Sequence, residues 1–148
     1  MRLLMIEDDA RHCALMRHHL TCRWPDAELV VSSPVLHGMP APEFLAQGFD
    51  AVLLACEWPG GRGIDWLRDF TARPGFAPVI YLSEQPDDAD AHQARTLGAH
   101  AVIGRSKIEH DRLLEALGRA SILQAQARAI RRTAHDAVEA QRFSGAFI

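Results

Sequence analysis

The sequence has few cysteines, no long apolar run and little net charge. Its three cysteines, an odd number at irregular spacing among 148 residues, favour a reducing compartment over a disulfide framework. No apolar run approaches the roughly 18 residues of a membrane-spanning helix, and acidic residues 7–9 interrupt the apolar N-terminus too early for a signal peptide. Sixteen basic against nineteen acidic residues leave a charge of −3, which argues against a dedicated nucleic-acid binder. We therefore expect a cytoplasmic protein that does not contact a membrane.

Proline is missing from the end of the chain, and charge divides along it as well. All eight prolines lie at or before Pro86, so the last 62 residues have none. Residues 1–117 carry 17 acids and 11 bases, a charge of −6, whereas residues 118–148 carry 2 acids and 5 bases, a charge of +3. The length suits one domain with an appendage. We predict a domain over residues 1–120 and a helical extension over residues 121–148.

Five short apolar runs alternate with segments of helical periodicity. Such alternation predicts an α/β fold in which βαβ units build a five-stranded, parallel, doubly wound sheet. The strands are predicted at residues 3–6, 27–31, 51–56, 78–83 and 100–103. The helices are predicted at residues 10–20, 40–47, 64–70 and 87–97, and an extended C-terminal helix is predicted from residue 109 to about residue 141.

The carboxyl ends of the strands are the positions where such a sheet binds ligands. The first strand is followed by Glu7, Asp8 and Asp9. The other candidate positions are the residues that follow the third, fourth and fifth strands: 55–57, Ser83 and Glu84, and 104–107.

These positions, in this order, resemble the receiver domain of bacterial response regulators, in blocks at residues 3–9, 49–63, 78–83 and 97–103. The resemblance covers residues 2 to about 120 and implies the flavodoxin-like receiver fold. Members of that family transfer a phosphoryl group from a histidine kinase onto an aspartate at the end of the third strand. It further implies a divalent metal held by two acids after the first strand. A hydroxyl residue and a lysine then bind the phosphoryl oxygens.

The sequence matches part of this site and departs from it at the acceptor. Glu7 and Asp8 match the acid pair, and Ser83 matches the hydroxyl residue. The acceptor position is Ala55, whose methyl group neither accepts a phosphoryl group nor binds a metal. Phosphoryl transfer depends on positioning and charge neutralisation around a nucleophile. Loss of the acceptor aspartate, which is that nucleophile, therefore removes the reaction.

Three more departures point in the same direction. Arg105 replaces the lysine, which keeps the charge but not the compact ammonium group. Glu84, bulky and negative, stands where the family has a small residue, and Val102 stands at the aromatic switch position. We therefore predict a pseudo-receiver, a non-catalytic module that no longer responds to aspartyl phosphorylation.

The carboxylates around the vacant position have two interpretations. Glu57 lies two residues beyond Ala55, and residues i and i+2 of a strand share a face. Glu57 or Glu84, paired with Arg105 or Ser83, would then imitate a phospho-aspartate and fix one conformation; alternatively, both glutamates point into solvent. Glu7 and Asp8 are either a weak Mg²⁺ site or an acidic pocket neutralised by Arg105. We favour the second interpretation and expect no required cofactor.

The sequence is also compatible with other functions. One alternative is a working phosphorelay receiver with an atypical acceptor, such as Glu57, Asp9 or Ser83. Another is a flavodoxin-like domain that binds a small ligand. A zinc site at His18 and Cys22 lacks a second ligand pair, and the glycines of residues 60–63 lack a nucleotide-binding motif.

The long C-terminal helix carries an apolar pattern at alternating spacings of three and four. Such a heptad pattern predicts a helical homodimer rather than a single solvated linker helix. Nucleic-acid binding by the arginines of residues 128–132 is a weaker interpretation. The chain ends in an apolar segment, residues 143–148, which we interpret as a cut before a C-terminal output domain of a larger signalling protein with its own protein partner. The pattern is formed by Leu113, Ala116, Ala120, Leu123, Ala127, Ile130, Ala134 and Ala137.

Overall fold

The computed structural model describes residues 1–145, and these contain seven strands. They are β1 (Arg2–Ile6), β2 (Glu28–Ser32), β3 (Ala51–Ala55), β4 (Glu57–Trp58), β5 (Gly61–Arg62), β6 (Val79–Ser83) and β7 (Ala101–Gly104). Five of them form a parallel sheet in the order β2-β1-β3-β6-β7, and β4 and β5 form a small antiparallel hairpin. The predicted α/β fold class is therefore confirmed.

Five helices connect the strands or follow them within the described residues. They are α1 (Ala10–Arg23), α2 (Pro34–His37), α3 (Gly63–Ala72), α4 (Ala89–Leu97) and α5 (His110–Gly145). Asp88 caps the start of α4. Gly98 ends the helix in the left-handed conformation at φ 102°, and this end is the one that the sequence predicts. None of the described helices is long and apolar enough to cross a membrane.

Apolar clusters lie on both faces of the sheet and explain its doubly wound form. Every residue of β3 and β6 is buried, which is why their sequences are continuous apolar runs. On one face, β1 and β3 pack against α3 and α4, and on the other they pack against α1 and the first part of α5. Because these strands are parallel, the carboxyl ends of β1, β3, β6 and β7 lie at the same edge of the sheet.

The helix predicted at residues 40–47 is wrong. The only helix between β2 and β3 in the described chain is α2, a single turn capped by Ser33, and residues 38–50 contain neither helix nor strand. Pro40 and Pro42 oppose helix formation because each lacks an amide hydrogen and disfavours the helical conformation of the residue before it. The carbonyl groups of this segment instead accept hydrogen bonds from the Arg73 guanidinium.

Candidate functional site

A cleft of about 420 Å³ opens at the carboxyl edge of the sheet, next to the point where the strand order switches between β1 and β3. Acidic side chains from the loop after β1 line one side of it. The hairpin after β3 and the loop after β7 line the other. The wall also includes His12, and its charged residues are Glu7, Asp8, Asp9, Glu57, Arg62 and Arg105.

Glu7 is buried and its carboxylate is used by the turn that leads into α1. Its Oε1 accepts hydrogen bonds from the backbone amides of Asp8 at 3.0 Å and Asp9 at 3.1 Å. Its Oε2 lies 3.3 Å from Nδ1 of His12. Both carboxylate oxygens therefore have local partners, so Glu7 supports the loop rather than presenting a free ligand.

Asp8 and Asp9 have different environments. Asp9 caps α1 by accepting a hydrogen bond from the Arg11 amide at 2.9 Å, and its hydrogen bonds to Arg11 lower the pKa of its carboxyl to about 2. Oδ1 of Asp8 accepts a hydrogen bond from the Ser33 hydroxyl. Oδ2 of Asp8 is buried and has no hydrogen-bond partner among the described residues. Of the predicted acid pair, Asp8 alone keeps an available oxygen.

Ala55 ends β3 and is completely buried. The start of α3 lies directly against it, because the Gly63 amide donates a hydrogen bond to the Cys56 carbonyl at 2.8 Å. A Cβ atom on Gly63 would lie 1.9 Å from the Ala55 carbonyl oxygen, so this approach requires glycine. The backbone of the site is therefore tightly packed around a side chain with no reactive group.

Arg105 brings together the two glutamates that the sequence singles out. Its Nε and Nη2 atoms each lie 2.8 Å from Oε2 of Glu84, and Nη2 also lies 3.0 Å from Oε1 of Glu57. The Arg105 side chain is 14% exposed, whereas both glutamates are exposed. Burial acts to lower the pKa of Arg105, but the surrounding negative groups, Glu84 among them, raise it above its ordinary value. The charged bridge therefore links the segments after β3, β6 and β7.

Ser83 is buried and does not take part in this bridge through its side chain. Its hydroxyl donates a hydrogen bond to the Gln85 carbonyl at 2.6 Å, and its own carbonyl accepts one from the Arg105 amide at 2.7 Å. The hydroxyl therefore fixes the loop after β6. The predicted pairing of a glutamate with Ser83 is absent from the described contacts.

A second polar contact beside the cleft was not predicted from the sequence. The buried Tyr81 hydroxyl donates a hydrogen bond to Oδ2 of Asp90 on α4 at 2.6 Å, and Oδ1 of Asp90 lies 3.8 Å from Nη2 of Arg62. Burial, together with Asp90, raises the pKa of Tyr81. Val102, at the predicted switch position, is buried beside Tyr81 because the two residues are register partners. No local sequence pattern signals this contact, because it depends on the register of β6 and β7.

The predicted dimer pattern of α5 divides into two parts. Leu113, Ala116 and Ala120 are buried against the sheet, whereas Leu123, Ile130 and Ala134 are exposed and Ala127 is half-buried. The helix stays in contact with the body beyond residue 120, through side chains that the apolar pattern could not reveal. These contacts are Gln124 Nε2 to the Phe49 carbonyl at 3.0 Å, Arg128 Nη2 to the same carbonyl at 3.0 Å and to the Gln47 carbonyl at 3.1 Å, and Arg128 Nη1 to Asp50 Oδ1 at 3.6 Å.

The zinc pair considered at His18 and Cys22 is not assembled. Both side chains are exposed, and the described residues contain no group of three or more His, Cys, Asp or Glu side chains that could hold a metal ion. A different histidine contact exists, in which Nδ1 of His19 lies 2.7 Å from Nδ1 of His110. Burial and the proximity of His110 lower the pKa of His19.

No family model matches the chain, and no curated protein matches it. Solved structures do match. The receiver domain of a sensor histidine kinase from Pseudomonas aeruginosa, with magnesium coordinated in its active-site cleft, has a TM-score of 0.62 at 19% identity. That match covers 81% of this chain and 96% of the other.

Two further matches extend the likeness. The N-terminal domain of a response regulator/sensory box/GGDEF three-domain protein from Carboxydothermus hydrogenoformans has a TM-score of 0.63 at 19% identity, covering 85% of this chain and 98% of the other. The response regulator StyR has a TM-score of 0.71 at 23% identity, covering 97% of this chain and 69% of that one. Identities this low show the fold alone, and the fold is that of response regulator receiver domains.

Proposed function

We propose that this chain is a receiver-type signalling module that is not controlled by aspartyl phosphorylation. The observation that supports this most directly is the buried Ala55 at the end of β3, where the receiver family carries its acceptor aspartate. A methyl group has no lone pair with which to attack phosphorus. The module performs no chemistry of its own, and it acts through its conformation and its contacts.

The bridge at Arg105 supports a pocket that is held permanently in one arrangement. In the receiver family a basic residue at this position binds phosphoryl oxygens, and here the guanidinium already has the carboxylates of Glu57 and Glu84. Glu57 thereby imitates a phosphorylated acceptor without any donor. Burial raises the pKa of the neighbouring Cys56 thiol to about 11, which keeps it neutral and unsuited to serve as a nucleophile in place of the aspartate.

The residual acid pair fits a divalent ion only in part. Asp8 offers one free carboxylate oxygen, but both oxygens of Glu7 have hydrogen-bond partners, and Ala55 offers no ligand. Mg²⁺ takes one or two carboxylates together with several waters. We propose weak Mg²⁺ binding at most, and no required cofactor.

The output of the module passes through α5. The structural neighbour from Carboxydothermus hydrogenoformans is the N-terminal domain of a larger protein. By analogy, we propose that this chain regulates a larger cytoplasmic signalling protein with a C-terminal output domain. On α5, the exposed Leu123, Ile130 and Ala134, with the half-buried Ala127 between them, supply apolar surface for a homodimer. We expect neither a membrane nor a nucleic acid as partner.

The test is incubation with acetyl phosphate and Mg²⁺, followed by intact-mass measurement. We expect no adduct on the chain, while a receiver with an acceptor aspartate, treated in parallel, gains about 80 Da for one phosphoryl group. A stable adduct on this chain would contradict the proposal. Peptide mapping of such an adduct would then identify an atypical acceptor such as Glu57, Asp9 or Ser83.

A further inference from the structure

Exposed apolar side chains concentrate in one short stretch of the described chain. Among residues 1–145, eleven large apolar residues are exposed, and five of these lie between residues 30 and 39. Leu36 is the most exposed of all, at 81%. Four of these residues, Val30, Val35, Leu36 and Met39, are referred to below as the β2 patch. The fifth, Val31, is the register partner of Met5 and points to the opposite face of the sheet. Exposed apolar residues that cluster in this way mark an interaction site more often than scattered ones do.

The β2 patch is exposed because one helix of the fold is almost missing. β2 is an edge strand, and Val30 is the register partner of Leu4, so both point to the face that the connection to β3 would normally cover. That connection contains only the single turn of α2. The segment that follows, residues 38–50, crosses towards β3 and covers the inner strands with Phe44 and Phe49. The outer strand keeps no helix over it.

The far end of α5, in contrast, is a helix segment without a surface to cover, because it extends beyond the body of its own chain. Among the contacts described for residues 1–145, Arg128 makes the last hydrogen bonds from α5 to the body, and residues 129–145 continue for about 25 Å beyond. Apolar residues spaced three and four apart share one side of this segment. This distal stripe consists of Ile130, which is 70% exposed, with Ala134, Ala137 and Val138, all exposed.

The two surfaces also carry complementary charge. Residues 24–50, which contain the β2 patch, include four acids and neither Lys nor Arg. Residues 125–145 include four arginines and two acids. Within one chain, Arg128 already lies 3.6 Å from Asp50, so a basic residue of α5 recognises this acidic segment. Glu28 and Asp50 already pair with Arg2 and Arg128 within the chain, so the exposed Asp26 and Glu43 are the acids that the arginines of a second copy would meet.

We propose that the distal stripe of α5 from a second copy packs across the β2 patch, in the place of the helix that residues 38–50 do not form. This inference deepens the homodimer of the proposed function and rests on it. The chain has one helix, α5, that extends beyond its own domain, and one strand, β2, without a covering helix. In two copies related by a two-fold axis, the end of each α5 covers the β2 patch of the other copy. An isologous contact of this kind closes on itself and does not lead to a fibre.

The experiment measures the solution mass of the full chain by light scattering coupled to size exclusion, with circular dichroism as the check on folding. The variants are Leu36→Glu in the β2 patch and Ile130→Glu in the distal stripe, both at positions too exposed to unfold the monomer. The matched control is Ile122→Glu, because Ile122 is 61% exposed on α5 but lies outside the stripe. We expect a dimer for wild type and control, and a loss of dimer by at least tenfold in dissociation constant for both test variants.

Three results would overturn the exchange. A dimeric Leu36→Glu variant beside a monomeric Ile130→Glu variant would mean that α5 pairs with α5. Dimers in both variants would place the interface elsewhere. A monomeric wild type would remove the homodimer itself, while the acetyl phosphate experiment would still decide separately whether the module is phosphorylated.

Discussion

The hydrogen bond from Tyr81 to Asp90 offers a stringent test of the packing beside the cleft. Tyr81→Phe removes one oxygen atom and leaves the buried ring in place. The lost bond has a length of 2.6 Å and a carboxylate acceptor, a class that contributes about 1.5–3 kcal/mol. Oδ1 of Asp90 is buried without a hydrogen-bond partner among the described residues, and the exposed Arg62 lies 3.8 Å away. Little remains to compensate the carboxylate, so we expect a loss of about 2–3 kcal/mol.

Urea unfolding at pH 7 measures this loss as a shift of the midpoint by about 1 M, because m is about 1–3 kcal/mol per M for small domains. Asp90→Ala and the double variant complete a mutant cycle, in which we expect the two single losses not to add. Burial and Asp90 raise the pKa of Tyr81, so the folded chain holds this proton more tightly than the unfolded chain. Stability should therefore fall above the ordinary tyrosine pKa of about 10 in wild type, and this contribution should vanish in Tyr81→Phe. A loss below about 0.5 kcal/mol, or additive single losses, would refute this reasoning.

Gly63→Ala should cost at least about 3 kcal/mol, or prevent folding, because the added Cβ meets the Ala55 carbonyl oxygen at 1.9 Å. Gly118→Ala in α5 is the matched control, with no atom within 4 Å of its added Cβ, and should stabilise the helix by about 0.5–1 kcal/mol in the same thermal melts. Arg128→Ala should cost about 1–3 kcal/mol, because it removes the donor to the Gln47 carbonyl and one of the two donors to the Phe49 carbonyl, whereas Arg132→Ala should change the unfolding free energy by less than about 0.5 kcal/mol. The pKa of His19 is lowered in the folded chain, so the unfolded chain binds the proton more readily and stability should fall as the pH drops from about 7 to 5. An acid titration of unfolding that shows the same fall after His19→Gln would contradict this last expectation.

The strands could be predicted from the sequence because the burial of the sheet on both faces leaves continuous apolar runs. Residues 51–55 and 79–83 are examples, and both strands are buried at every residue. Helix ends with strong local signals could also be predicted from the sequence, as at Gly98. The segment between β2 and β3 was not, because its helical periodicity competes with Pro40 and Pro42, and the prolines prevail.

The positions of the site follow from strand order, but its contacts do not. The sequence places Glu57, Glu84 and Arg105 after three neighbouring strands, and the structure places both carboxylates on the guanidinium. The contact between Tyr81 and Asp90 depends on the register of β6 and on how α4 lies over it, which no local pattern encodes. Gln124 and Arg128 were hidden for a related reason, since polar residues that bind backbone carbonyls do not contribute to an apolar repeat.

The central claim is that the pocket beside Ala55 keeps one conformation whatever phosphodonor is present. The most direct measurement is the amide spectrum of isotope-labelled protein by NMR, recorded with Mg²⁺ alone and again after addition of acetyl phosphate. We expect the backbone signals of Ser83, Glu84 and Arg105 to remain in place between the two spectra. Displacement of these signals together with those of α4 and α5 would show a phosphorylation-driven switch and contradict the account.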